Sequence, residues 1–149
     1  MLSRGNWKRT VGIVIGVLVV VWLVLQLIPL DRTNPAVASE PTWGDPQARE
    51  LAKRACFDCH SNETVWPWYA RVAPMKFLIW NDVREGRHTL NFSEWGSGRQ
   101  ETHEIAEVIN EGEMPPWYYT LMHSNAKLSD AEKQQLIAGL PTVAGGGGD

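Results

Sequence analysis

A chain of 149 residues with a formal net charge of −3 holds one domain with room for an appendage. The charge balance gives no basis for nucleic-acid binding. Eight tryptophans in so short a chain point to a large flat ligand and to anchoring at a membrane interface.

The appendage comes first in the chain. Residues 11–28 read VGIVIGVLVVVWLVLQLI, with Gln26 the only clearly polar side chain. That length is near the lower end of what crosses a bilayer as a helix. Arg4, Lys8 and Arg9 precede it, and positive charge stays on the cytoplasmic side. Residues 1–30 therefore read as a single-pass anchor in the cytoplasmic membrane, contacting lipid, with the rest of the chain on the periplasmic side. The alternative is a cleaved signal peptide, because Ala36-Val37-Ala38 has the small-x-small form of a cleavage site. That site lies well past the apolar run, and the run is longer than a usual signal core, so the retained anchor is preferred. Residues 31–44 (DRTNPAVASEPTWG) lack apolar periodicity and read as a linker lifting a domain off the membrane. Residues 142–149, with four glycines at 145–148, read as a disordered tail.

Residues 45–141 read as a helical domain. Asp45-Pro46 is a helix start, a capping acid followed by proline at the first helical position. Ala48, Leu51, Ala52 and Ala55 then give one apolar face that runs into Cys56. A second helix starts at Pro74, with Met75, Leu78, Ile79 and Val83 on one side and Gly86 as its stop. A third covers 101–111, turning Ile105, Val108 and Ile109 inward and ending at Gly112, while Glu101, Glu104, Glu107 and Glu111 form a solvated face. A fourth starts at Ser129, which makes a capping box with Glu132, and buries Leu136, Ile137 and Leu140. No stretch shows strand alternation, so the expected class is all-α. A core of this size is modest, and a bound cofactor would complete it.

The chemistry sits in RACFDCHSN, residues 54–62, which holds the only two cysteines. A zinc site needs about four ligands, and there is no second cysteine pair. His88, His103 and His123 lack finger spacing. A thioredoxin-like pair needs a βαβ context. A structural disulfide over so short a loop is strained. Cys-x-x-Cys-His is the attachment signature of c-type haem and uses all three residues. Two intervening residues let both thiols reach the two vinyl groups along one porphyrin edge. His60 then supplies an axial nitrogen. Export agrees with this reading, which gives one covalent haem c per chain.

The sixth ligand is open among Met75, Met114, Met122, His88, His103 and His123. Met114 is favoured, because EGEMPPWYY places it in a loop after a helix, and Pro115-Pro116 stiffen the chain directly after it. Met75 falls on a helix face, where methionine is commonly core filler. His123, downstream in the same distal region, is the main competitor. Trp66, Trp68, Tyr69, Phe92, Trp95 and Trp117 are candidates for walls of the haem pocket, with ordinary core packing as the other reading. Arg71, Lys76, Arg87 and Asn91 are candidates for the propionates, against a solvated surface role.

The run from RACFDCHSN through Trp66-Pro67-Trp68-Tyr69, Ala73-Pro74, Asp82-Val83, Gly86-Arg87 and Leu90-Asn91-Phe92-Ser93, followed by EGEMPPWYY, His123 and AKLSDAEK, resembles the haem-binding domain family of bacterial membrane-anchored cytochrome c-like proteins. The likeness covers about residues 34–140. It implies a small cytochrome c-like helical domain with thioethers at Cys56 and Cys59, His60 as proximal ligand and Met114 as distal ligand. The connection between Trp95 and the third helix is shorter than the family pattern leads one to expect.

A six-coordinate haem has no open position for a substrate, so the expected activity is one-electron transfer rather than enzyme catalysis. From residue 31 on, the chain carries 11 Lys and Arg against 17 Asp and Glu, a net charge of −6. An acidic carrier favours membrane or periplasmic redox partners with a basic docking patch. The alternatives are a peroxidase-type enzyme, against which no distal Arg/His pair is evident, and a redox or gas sensor, against which there is no cytoplasmic output module.

Overall fold

The computed structural model describes residues 4–96 and 104–141. The expected tail at 142–149, the Glu101 helix start, His103 and most of the connection after Trp95 lie outside the described residues. Within them the chain is all-α. The helices are α1 (Arg4–Gln26), α2 (Pro46–Ala55), α3 (Phe57–His60), α4 (Met75–Thr89), α5 (Ile105–Glu111), α6 (Trp117–Met122) and α7 (Asp130–Ala138). Short 3-10 turns add Trp68–Arg71 and Ser124–Ala126. The one β feature among the described residues is an isolated bridge between Ser39 and Glu94.

The chain divides into two compact units. The first holds the residues up to Arg32 together with Pro67–Trp80; the second holds Thr33–Trp66 and the residues from Asn81 on. Helix α4 is shared, Met75–Trp80 in the first unit and Asn81–Thr89 in the second.

In the first unit, α1 has 23 residues, which at 1.5 Å per residue make roughly 34 Å, enough to cross a hydrocarbon core of about 30 Å. Its apolar stretch Asn6–Gln26 is long and apolar enough to span a membrane, and none of it is buried in the protein. The segment after Pro67 is tied to its C-terminal end. Trp22 Nε1 donates to Ala73 O at 2.9 Å, and Ala73 N donates to Gln26 Oε1 at 3.1 Å. Lys76 is buried and its Nζ donates to Gln26 O at 3.0 Å and Ile28 O at 2.9 Å. An ammonium there meets the carbonyls that a helix end leaves unpaired, at the negative end of its dipole. Lys76 thus caps α1.

In the second unit, the local signals act as read. Asp45 caps α2 by accepting from Gln47 N, with proline at the start of the helix. Ser129 and Glu132 form the reciprocal capping box of α7. Gly112 ends α5 in the left-handed conformation at φ 78°. Helices α2 and α7 pack together, so closely that a methyl on Gly139 would land on Ala48 Cβ. Phe57, Phe92 and Trp43 form the aromatic centre of the core, with Phe57 and Phe92 stacked at 5.3 Å and Trp43 5.2 Å from Phe92.

Two expectations are corrected. Gly86 does not stop its helix; α4 continues to Thr89. Residues 33–44 are not a free linker. Arg87 donates to Thr33 O at 3.1 Å and Asn62 Nδ2 to Ala36 O at 3.2 Å. Ala38 N and Ser39 N both reach Ser93 O, and Trp43 enters the core. The segment lacks helix or strand periodicity because its backbone is paired by side chains and loops distant in sequence.

The capping box carries a pH dependence. Backbone donation from Ser129, then the Arg54 guanidinium at 2.6 Å, pull the Glu132 carboxyl from the ordinary 4.5 down to about 2. A depressed acid contributes stability that is fully present above its unfolded pKa and is lost as the pH falls through its folded one. Glu132→Gln is expected to melt below the wild type at pH 7, with the gap closing between pH 4.5 and about 2; thermal melts across that range measure it.

Candidate functional site

The Cys-x-x-Cys-His segment is a single helical turn. Cys56 closes α2 and opens α3, and its carbonyl accepts from both Cys59 N at 3.1 Å and His60 N at 2.9 Å. Phe57, between the cysteines, is buried in the core; burying such a ring contributes about 1.5–3 kcal/mol and locks the turn in place. Asp58 points the other way and is stapled: its Oδ1 accepts from Val65 N at 2.9 Å and its Oδ2 from Tyr119 Oη at 2.7 Å. Below the motif, Phe92 N donates to His60 O at 2.8 Å.

Helix α4 presses against this turn at Gly86. A Cβ on Gly86 would stand 2.5 Å from Cys59 O and 3.0 Å from Cys59 C. Only a residue without a side chain permits the approach. The approach also orients the histidine, since His60 Nδ1 lies 3.0 Å from Gly86 O and 3.1 Å from Leu90 O. Carbonyl oxygens only accept, so Nδ1 carries the proton and Nε2 keeps a free lone pair. Burial lowers the His60 pKa, favouring the neutral ring, although the two carbonyl bonds oppose this. Burial pushes both thiols up to about 12, Cys59 with help from the Asp82 and Asp58 charges.

Cys56, Cys59 and His60 line a cavity of about 300 Å³. Its other walls include Ile105, Val108 and Ile109 of α5, the Met114-Pro115-Pro116 loop, and Tyr118 and Tyr119 of α6. Gly112 turns the chain out of α5, and both Glu113 N and Met114 N fold back onto Val108 O, at 3.0 and 3.1 Å. Met114 therefore reaches the cavity from a loop tied at both ends, since Pro116 O begins α6 by accepting from Tyr119 N at 3.0 Å. Tyr118 Oη donates to Asp82 Oδ2 at 3.2 Å, and burial raises the Asp82 pKa.

The remaining candidates are placed elsewhere. Trp68 and Tyr69 belong to the first unit, Trp68 with 75% of its surface exposed and Tyr69 set edge-on to it. Trp66 is half-buried and does not line the cavity. Phe92 lines it, Trp95 stacks behind Phe92 at 5.9 Å, and Trp117 is 75% exposed. Arg87 donates to Ser61 O, Thr33 O, Asn34 Oδ1 and Thr64 Oγ1 at 2.8–3.1 Å and does not line the cavity. Asn91 donates to Asn62 Oδ1 at 3.0 Å and accepts from Ser93 N. His123 does not line the cavity; its ring stacks on Tyr119 at 4.3 Å and its Nδ1 lies 3.1 Å from Tyr119 O. The sequence assigned no site role to Gly86, Asp58, Asp82, Tyr118 or Tyr119, although Asp58 sits inside the motif and the tyrosines lie just past the proline pair.

The donor set suits a haem. It offers two uncharged thiols one turn apart, a neutral imidazole with a free Nε2 and a thioether on a fixed loop, around one cavity. No group of three or more His, Cys, Asp or Glu able to hold a bare metal ion occurs among the described residues. Fold and site together define a helical haem-binding protein. A family model described as a haem-binding domain matches residues 20–142, and the chain belongs to that family. No curated protein and no solved structure matches it.

Proposed function

We propose that the protein is a membrane-anchored monohaem c-type cytochrome that passes single electrons on the periplasmic face of the cytoplasmic membrane. The observation that carries this reading is the convergence of Cys56, Cys59, His60 and Met114 on one cavity. Haem, when bound, supplies reversible one-electron exchange at its iron. Cys56 and Cys59 would hold it as thioethers, their thiols adding across its two vinyl groups, so that it would stay with the exported chain. His60 would present Nε2 to the iron, with the carbonyls of Gly86 and Leu90 holding the ring and strengthening it as a donor. Met114 would offer its sulfur from the loop after α5, and a thioether ligand favours the reduced state. His60 and Met114 would together supply the iron with two ligands from the chain, which is the basis for reading the protein as an electron carrier. Its partners are membrane or periplasmic redox proteins with basic surfaces, matched to the net charge of −6 after residue 30.

Optical spectra of the purified full chain test the assignment. The wild type is expected to show low-spin haem with the long-wavelength methionine–iron band when oxidised and no carbon monoxide binding when reduced. Met114→Ala is expected to lose that band, bind carbon monoxide and fall in potential. His123→Ala is expected to leave all three unchanged. If His123→Ala alone opens the iron, the distal assignment is wrong.

A further inference from the structure

The first unit contains more than a spanning helix. Ala73 is held on both sides by α1: its carbonyl by Trp22 and its N–H by Gln26. Trp22 and Gln26 both lie inside the apolar run, and Trp22 stands four residues before the end of α1. At 1.5 Å per residue that is about 6 Å below the helix end. The peptide at Ala73 therefore sits level with the last turn of the span rather than above it.

The flanking residues match that depth. Val72, Met75 and Leu78 are each more than a third exposed, and Trp68 is 75% exposed. In water these would be apolar side chains without cover. At the boundary between lipid headgroups and acyl chains they would be in their preferred medium, and tryptophan is enriched there. The polar groups where this segment meets α1 are bonded within the unit: the Trp22 indole donates to Ala73 O, Ala73 N donates to the Gln26 side chain, and the buried Lys76 ammonium donates to Gln26 O and Ile28 O, while the exposed Arg71 is free to reach the headgroups.

We infer that Trp68–Leu78 is a second membrane-contacting element, an interfacial wedge docked on the last turn of α1 and seated in the bilayer surface at that end of the helix. The inference rests on α1 spanning the membrane, and it commits the exposed apolar side chains of this segment to lipid.

The test uses the full haem-loaded chain in vesicles of phosphatidylethanolamine and phosphatidylglycerol. Nitroxide labels are placed singly at Met75→Cys and Leu78→Cys, with Val14→Cys in the span and Glu63→Cys on the exposed surface of the second unit as references. The unsubstituted chain is labelled in parallel, so that any signal from Cys56 and Cys59 is subtracted. Relaxation by oxygen against a water-soluble nickel chelate reports depth. The expected result is lipid-like accessibility at positions 75 and 78, between those of 14 and 63. A second reading comes from Lys76→Met, which removes the cap on α1 and is expected to shift positions 75 and 78 toward the nickel-accessible side while position 14 stays put. Water-like values at 75 and 78 with a lipid-like value at 14 would overturn the wedge and leave the anchor intact. A water-like value at 14 would overturn the anchor and the wedge with it.

Discussion

Gly86→Ala is expected to lower the melting temperature by roughly 8–16 °C and to reduce haem occupancy. The added Cβ falls 2.5 Å from Cys59 O and 3.1 Å from Cys59 Cβ. The first of these is a backbone atom of the α3 turn, which the bonds of Cys59 N and His60 N to Cys56 O hold in place, and it cannot rotate aside as a side chain could. Overpacking of this kind costs about 1–3 kcal/mol, and the rigid neighbour puts it near the top of that range. Replacing glycine by alanine in a helix returns about 1 kcal/mol, leaving a net loss of about 2 kcal/mol, or roughly 4–8 °C per kcal/mol in a domain of this size. Displacing α4 also pulls the Gly86 and Leu90 carbonyls away from His60 Nδ1. Thermal melts and the haem-to-protein absorbance ratio measure the two effects. An alanine variant that melts and loads like the wild type would show that the approach of α4 to Cys59 is not a tight constraint.

Arg87→Ala is expected to destabilise the second unit by about 3 kcal/mol, since hydrogen bonds from a charged donor contribute about 1.5–3 kcal/mol each and do not add fully. One guanidinium gathers acceptors from residues 33, 34, 61 and 64. It is the clamp that holds the segment before α2 against the loop after the haem motif. Lysine cannot reproduce the planar fork, so Arg87→Lys recovers little of the loss. The loss is expected in the haem-free chain as well as the loaded one. Denaturant unfolding of both forms is the measurement. A loss confined to the loaded form, together with a shifted potential, would return Arg87 to the propionates.

What could be read in the sequence was local. Asp45-Pro46, Gly112 and the Ser129–Glu132 box each act within one turn of chain, and each does in the structure what its residue type requires. Cys56, Cys59 and His60 also announce themselves locally, because the geometry of one helical turn brings them together. The errors came where a residue answers to something distant. Gly86 carries the local mark of a helix end, yet its missing side chain serves the carbonyl of Cys59, 27 positions earlier. Residues 33–44 have the composition of a linker, yet Arg87, Asn62 and Ser93 bind their backbone. Of the aromatic candidates for the pocket walls, Phe92 lines the cavity while Trp68 and Trp117 are mostly exposed, and the tyrosines of α6 line it as well. Lys76 looked like a partner for propionates and is the cap of α1, a role visible only once the two segments are seen side by side.

Covalent attachment is the claim on which the cytochrome reading turns, and one measurement addresses it directly. The full-length protein is expressed in a host that matures c-type haem, denatured, separated by electrophoresis and stained for haem, and the peptide spanning Cys56–His60 is weighed by mass spectrometry. Haem that stays with the denatured chain, and a peptide heavier by one haem with no free thiol at Cys56 or Cys59, is the predicted result. Haem that separates from the chain, with both cysteines recovered as unmodified thiols, would contradict it.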